Sequence, residues 1–192
     1  MKNMRKLLLL FAAVMMAVAF VSCEGRNDPD EEERKAVAVH IEGTITVSDD
    51  MLELLEPYVQ YYDGPFEYWI TSVTMTTNEF TLIQKDAPLT RPRGMCLRLK
   101  LKDSINIENY EQVEIKAYCR YNCYAVDQNG DVVGRVHQKD DFGVSATLPG
   151  DILKESWVEK FNEKAPVCFL YIFDEDGNGD EMSSNWQRVP WN

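Results

Sequence analysis

Alternation of apolar and polar residues at a period of two runs through this chain, and it limits the fold more than any other feature. In MCLRLKLK, residues 95–102, Met95, Leu97, Leu99 and Leu101 fall on one side, with Cys96, Arg98, Lys100 and Lys102 on the other. Successive side chains of a strand point to opposite faces, so such a run has one apolar and one polar face. The basic side is expected to meet water or acidic neighbours. VAVHIEGTITV, 37–47, follows the same rule, setting Val37, Val39, Ile41, Ile45 and Val47 against His40, Glu42, Thr44 and Thr46. QVEIKAYCRYNCYAV, 112–126, gathers Val113, Ile115, Ala117, Cys119, Tyr121, Cys123 and Ala125 on one side.

Turn and helix signals divide the rest. SDDMLELLEP, 48–57, predicts a short helical turn capped by Ser48 and closed by Pro57. YVQYYDGPFEYWITSV predicts two strands around Asp63-Gly64-Pro65, and EFTLIQ, 79–84, a third. The loop KDAPLTRPRG leads into the strand at 95. DQNG, 127–130, is a hairpin turn leading into DVVGRVH, and FGVSATLP is a further strand. PGDILKESWVEKFNEKAP predicts a helix with Asp151 near its cap and Ile152, Leu153, Trp157 and Phe161 on one stripe. A closing hairpin follows, its first arm Val167 to Phe173 apolar on both faces as in a central strand.

Eight or nine short strands with one brief helix and frequent turns predict an all-β, antiparallel β-sandwich. Strand–helix–strand alternation, which would argue for a parallel sheet, does not occur.

The N-terminus is of another kind. Lys2, Arg5 and Lys6 precede an unbroken apolar run at 7–21, then Ser22 and Cys23. A basic start, an apolar middle and a small residue before the cut describe a signal peptide at 1–22. A spanning anchor is the alternative, but it needs about 20 apolar residues. Phe20-Val21-Ser22-Cys23 resembles the lipobox of bacterial lipoproteins, with Phe where leucine is favoured. The resemblance implies a diacylglycerol on the Cys23 thiol and lasting membrane attachment through two or three chains. Cleavage after Ser22 without lipid is the other reading. Residues 24–35, EGRNDPDEEERK, hold six acids and three bases, so 23–35 is expected to be a disordered, solvated tether. Acids directly after a lipidated cysteine resemble the export signal of Bacteroidetes-type surface lipoproteins. The layout of 36–192 resembles the immunoglobulin-like sandwiches of that group. Together these imply a cell-envelope, outer-membrane, surface-exposed protein.

Formal net charge is −12, and removing 1–22, with three bases and no acid, makes it −15. So acidic a surface is unsuited to nucleic acid, which recruits basic side chains to release counterions. Of five cysteines, Cys96, Cys119, Cys123 and Cys168 follow the tether. Four cysteines allow three disulfide pairings, but each sits in a strand pattern, and free core thiols are the favoured reading. Cys119 and Cys123 share a face roughly 13 Å apart, too far for a bond to each other.

No catalytic constellation stands out, and no cofactor is expected. DEDGNGDE, 174–181, places Asp174, Asp176, Asn178 and Gly179 in the first six places of a calcium-loop pattern, with Asp180 or Glu181 as a further carboxylate. Asn185 stands where the bidentate acid belongs, so the motif is incomplete and also reads as a plain hairpin loop. Asp127, Asn129 and Asp131 make a shorter version for which the turn reading is stronger. His40 and His137 fall on polar strand faces, expected exposed. The acid pairs Asp49-Asp50 and Asp140-Asp141 read as solvated loop residues. Tyr58, Tyr61, Tyr62, Phe66, Tyr68 and Trp69, with Trp186 and Trp191, supply either core or a stacking surface for glycans. The expectation is a lipid-anchored, non-catalytic binding or accessory module with a glycan or protein partner. The alternative is a structural or adhesive subunit, with a hydrolase third.

Overall fold

A computed structural model shows two antiparallel β-sheets that share one core; it describes residues 34–62, 70–89 and 91–182. Cys23, the signal peptide, the tether up to Glu33, the aromatics Phe66, Tyr68, Trp69, Trp186 and Trp191, and Asn185 lie outside the described residues. The strands are β1 (Ala38–Val47), β2 (Leu55–Tyr62), β3 (Ile70–Thr74), β4 (Glu79–Pro88), β5 (Arg93–Leu101), β6 (Val113–Val126), β7 (Val132–Leu148), β8 (Cys168–Phe173) and β9 (Gly179–Glu181). Helix α1 is Asp49–Leu54 and α2 is Glu155–Lys164. One sheet runs β4-β1-β6-β7 and the other β3-β2-β5-β8-β9. Among the described residues, no helix is long and apolar enough to cross a membrane.

The alternation predicted from sequence sets which faces meet. Ile41 and Ile45 of β1, Ile115 and Cys119 of β6, and Met95, Leu97 and Leu99 of β5 are all buried between the sheets. The sheets pack tightly at Gly43. A Cβ there would lie 2.6 Å from Met95 Cε and 3.1 Å from the Phe169 ring. β8 lies between β5 and β9, the interior position its two apolar faces require.

Three local expectations need correction. DVVGRVH and FGVSATLP are not separate strands; they are the two ends of β7, continuous over 17 residues. Ser48 caps nothing. Its hydroxyl donates to Glu114 O at 2.6 Å, and the Asp50 carboxylate accepts from Glu114 N–H at 2.6 Å, so the pair docks α1 on β6. The strand starts at Leu55, with Pro57 inside it, because α1 ends one turn earlier. The helix near 155 begins after Lys154, and Asp151 belongs to a separate 3₁₀ turn, Gly150–Ile152, that leaves Ile152 exposed.

The basic face of β5 is open to water only in part, since Lys100 is exposed, 4.0 Å from Glu56. Cys96 and Arg98 are buried. The Arg98 guanidinium donates to the backbone oxygen of Asn162 in α2 and to Gln60 Oε1 at 3.2 Å. Asn162 itself completes the edge of β5 beyond the end of β8. Its side-chain oxygen accepts from Leu99 N–H at 2.9 Å, and its amide nitrogen donates to Leu99 O at 2.9 Å. One amide side chain thus reproduces the two backbone bonds of an absent strand, which keeps buried backbone groups paired.

Candidate functional site

The site is built by irregularity in β7. The turn Asp127–Asp131 joins it to β6. Asp127 Oδ1 accepts from Asn129 N–H at 2.8 Å and Asp131 N–H at 3.0 Å, so the predicted hairpin signal operates through its first aspartate. Two register steps follow. Cys123 opposes His137, but Ala125 opposes Val133, so three residues of β7 face one of β6. Gly134 sits in this bulge at φ +72°. Further on, Cys119 opposes Phe142 while Tyr121 opposes Lys139, a second bulge at Asp141, φ +46°. Bulges re-aim side chains.

Gly134 lets the first bulge close onto the turn between β8 and β9. A Cβ on Gly134 would stand 2.4 Å from Gly177 O, and one on Gly177 2.2 Å from Val133 O. That turn is held on its other side by Ala36 N–H donating to Glu175 O at 2.7 Å, and by Lys35 Nζ at 2.5 Å from Asp176 Oδ1. The edge strands of the two sheets therefore meet at this end. Beyond the contact they leave an open polar cleft of about 530 Å³, lined by Arg135, Val136, His137, Gln138, Tyr171 and Glu181.

His137 was expected on an exposed polar face. It lies opposite Cys123, on the inner face that Val133 also occupies, and its ring packs 4.7 Å from that of Tyr171 and 5.6 Å, edge-on, from that of Phe173. Its Nε2 is buried without a hydrogen-bond partner. Burial, and then the Arg135 charge, lowers its pKa, with Glu181 opposing them. Neutral imidazole is the favoured form. Behind it, the Tyr121 and Tyr171 hydroxyls share a hydrogen bond at 2.9 Å. Burial first, and for Tyr121 also that bond, raises both phenols, so both stay protonated. The arrangement presents a guanidinium, a carboxylate, an amide and a neutral imidazole over an aromatic floor. It offers hydrogen bonds of both senses and no activated nucleophile.

The other candidates are placed as follows. Asp174 Oδ1 accepts from the N–H groups of Asp176 at 3.0 Å and Asn178 at 2.8 Å, while Oδ2 accepts from Asn178 Nδ2 at 3.0 Å. The Asn178 bonds, side chain before backbone, lower its pKa. With Asp176 on Lys35 and Asp180 exposed on β9, these oxygens hold the turn together, and among the described residues no three His, Cys, Asp or Glu side chains converge to hold a metal. Asp49 accepts from Asn78 Nδ2 at 2.7 Å, and Asp140 and Asp141 are exposed on β7. His40 Nε2 lies 3.3 Å from Asp86 Oδ1. Cys96, Cys119, Cys123 and Cys168 are all buried and free.

Sequence reasoning missed Arg135 and Tyr171, took Glu181 only as a carboxylate for a calcium loop, and misjudged His137. The one available signal was Gly134, since a glycine inside a strand pattern marks a bulge. Comparison with protein-family models, with curated proteins and with solved structures gives no match for this chain.

Proposed function

We propose that this is a lipid-anchored protein of the cell envelope, moored through Cys23 at the outer membrane and exposed at the surface. Its sandwich serves as a non-catalytic binding module, with the β7–β9 cleft as its site. The supporting observation is the buried, unpartnered His137 Nε2 beside Arg135 and Glu181. A buried polar atom without a partner costs about 1–3 kcal/mol, which a hydrogen-bonding ligand would offset. Arg135, Gln138 and Glu181 supply the mixed donors and acceptors that suit a hydroxyl-rich ligand of glycan chemistry. Among the described lining residues Glu181 alone carries a carboxylate, whereas glycoside hydrolysis uses two, so the proposal is of capture rather than turnover.

Calorimetry of the mature chain against a glycan panel tests this reading. Binding should appear and fall at least tenfold in Arg135→Ala and His137→Ala. A flat panel, or binding untouched by both substitutions, would count against the cleft. The anchor has its own test: Cys23→Ser should move the protein from the membrane to the soluble fraction, and the mature N-terminus should carry acyl mass.

A structural or adhesive role has one observation in its favour. β7 is a 17-residue strand that pairs with β6 alone among the described strands. Such an edge can accept a partner's strand. Arg135, Lys139, Asp140, Asp141 and the two bulges blunt it, as edges that avoid pairing are blunted. Sedimentation that shows a monomer at high concentration, with no polymer on adding a β7 peptide, favours the binding module.

A further inference from the structure

Cys96 of β5 and Cys168 of β8 stand directly opposite each other on adjacent antiparallel strands. The next pair is joined by a hydrogen bond from Leu97 N–H to Val167 O at 2.9 Å. Cys96 and Cys168 are therefore a non-hydrogen-bonded pair, the kind in which opposing Cα atoms come to about 4.5 Å and side chains lie closest. That separation falls within the roughly 4.4–6.8 Å that a disulfide spans. Both side chains project to the same outer face of the sheet, beneath Tyr62, Leu170 and Ala165. The Cys96 thiol donates to Leu97 O at 3.6 Å. Cys119 and Cys123 differ in every respect: they share one strand, face the inner core and stand two pleats apart.

We infer that Cys96 and Cys168 are a disulfide site of this protein, closed as β8 pairs with β5 and before α2 settles over them. An Sγ–Sγ bond forms and two S–H bonds break. The two electrons and two protons pass to a disulfide-bearing oxidant, either a small-molecule disulfide or a thiol–disulfide oxidoreductase, whose own S–S bond becomes two thiols through a mixed-disulfide intermediate. Burial and the neighbouring thiol hold Cys168 well above its ordinary pKa in the native state. Little thiolate is then available, so the reaction belongs to folding, when both groups are exposed. The bond would tie β8 to β5 three residues before Tyr171, and so fix the floor of the cleft. The pairing suits an exported protein, but its chemistry is independent of the ligand proposal.

The test is oxidative refolding of the full chain in a buffer of oxidised and reduced glutathione, followed by alkylation in denaturant and peptide mapping. One linked pair of peptides joining Cys96 to Cys168 is expected, with Cys119 and Cys123 alkylated. Alkylation at both Cys96 and Cys168, or linkage of either to Cys23, Cys119, Cys123 or a second chain, would overturn the assignment. The oxidised form should also melt about 5–10 °C above the reduced form. A midpoint unmoved by reductant would remove the structural tie.

Discussion

The phenolic oxygens of Tyr121 and Tyr171 lie 2.9 Å apart, joining β6 to β8 across the interior of the sandwich. The Tyr121 ring also stacks on Phe169, with centroids 4.1 Å apart. Tyr121→Phe keeps the stack and removes one hydroxyl, which strands the other in the core. Urea unfolding should show a loss of about 1–2 kcal/mol. Tyr121→Phe with Tyr171→Phe should lose less than the two single changes added together, because no orphan remains. Strict additivity would mean the hydroxyls are not coupled.

Asn162 stands in for a strand at the edge of β5. Asn162→Ala unpairs both backbone groups of Leu99 and should cost about 2 kcal/mol. Hydrogen exchange gives the sharper check, since the Leu99 amide should exchange faster while the Leu97 amide, bonded to Val167 O, keeps its protection. Unchanged exchange at Leu99 would contradict the role.

The close approach at Gly43 leaves no room for a side chain. Its nearest obstacle is the flexible end of Met95, 2.6 Å from a built Cβ, with the Phe169 ring behind at 3.1 Å. Gly43→Ala should cost about 1 kcal/mol and Gly43→Val about 3 kcal/mol in chemical denaturation. Shortening Met95 to Val beside Gly43→Ala should recover part of the loss. A neutral Gly43→Val would show that the sheets stand further apart.

His137 makes stability depend on pH in a defined direction. Its folded pKa lies below the unfolded value of about 6.5, because burial and Arg135 disfavour the imidazolium. As pH falls through about 6.5 the unfolded chain takes up a proton that the folded chain resists. Stability from this group is therefore full above the unfolded pKa and declines as pH drops toward the folded one. Thermal midpoints measured between pH 7.5 and 5 should fall in the wild type and fall less in His137→Gln. Parallel profiles would show that other groups carry the effect.

Much of the fold was legible because it rests on periodicity. Met95, Leu97 and Leu99 were assigned inward from alternation alone, and they are inward. The 127–131 turn was legible from local chemistry, since the Asp127 side chain bonds to its own loop. The polar partners of that alternation were harder to read. Arg98 has the composition of a wet face, yet it is buried because α2, more than 50 residues later, packs on it. His137 was assigned by counting along an unbroken strand. The two extra residues at Gly134 leave His137 on the face of Val133, and that this face is the inner one becomes visible only when β7 is laid against β6.

By itself, the order of residues determined the strand periods, the turns and the two-layer antiparallel class, because each depends on neighbours a few positions apart. The tertiary structure decided which strands form edges, how the Gly134 bulge meets the Gly177 turn, and that Cys96 stands opposite Cys168. Those outcomes depend on register between distant segments. A shift of one residue in that register changes which side chain faces which, while leaving every local pattern intact.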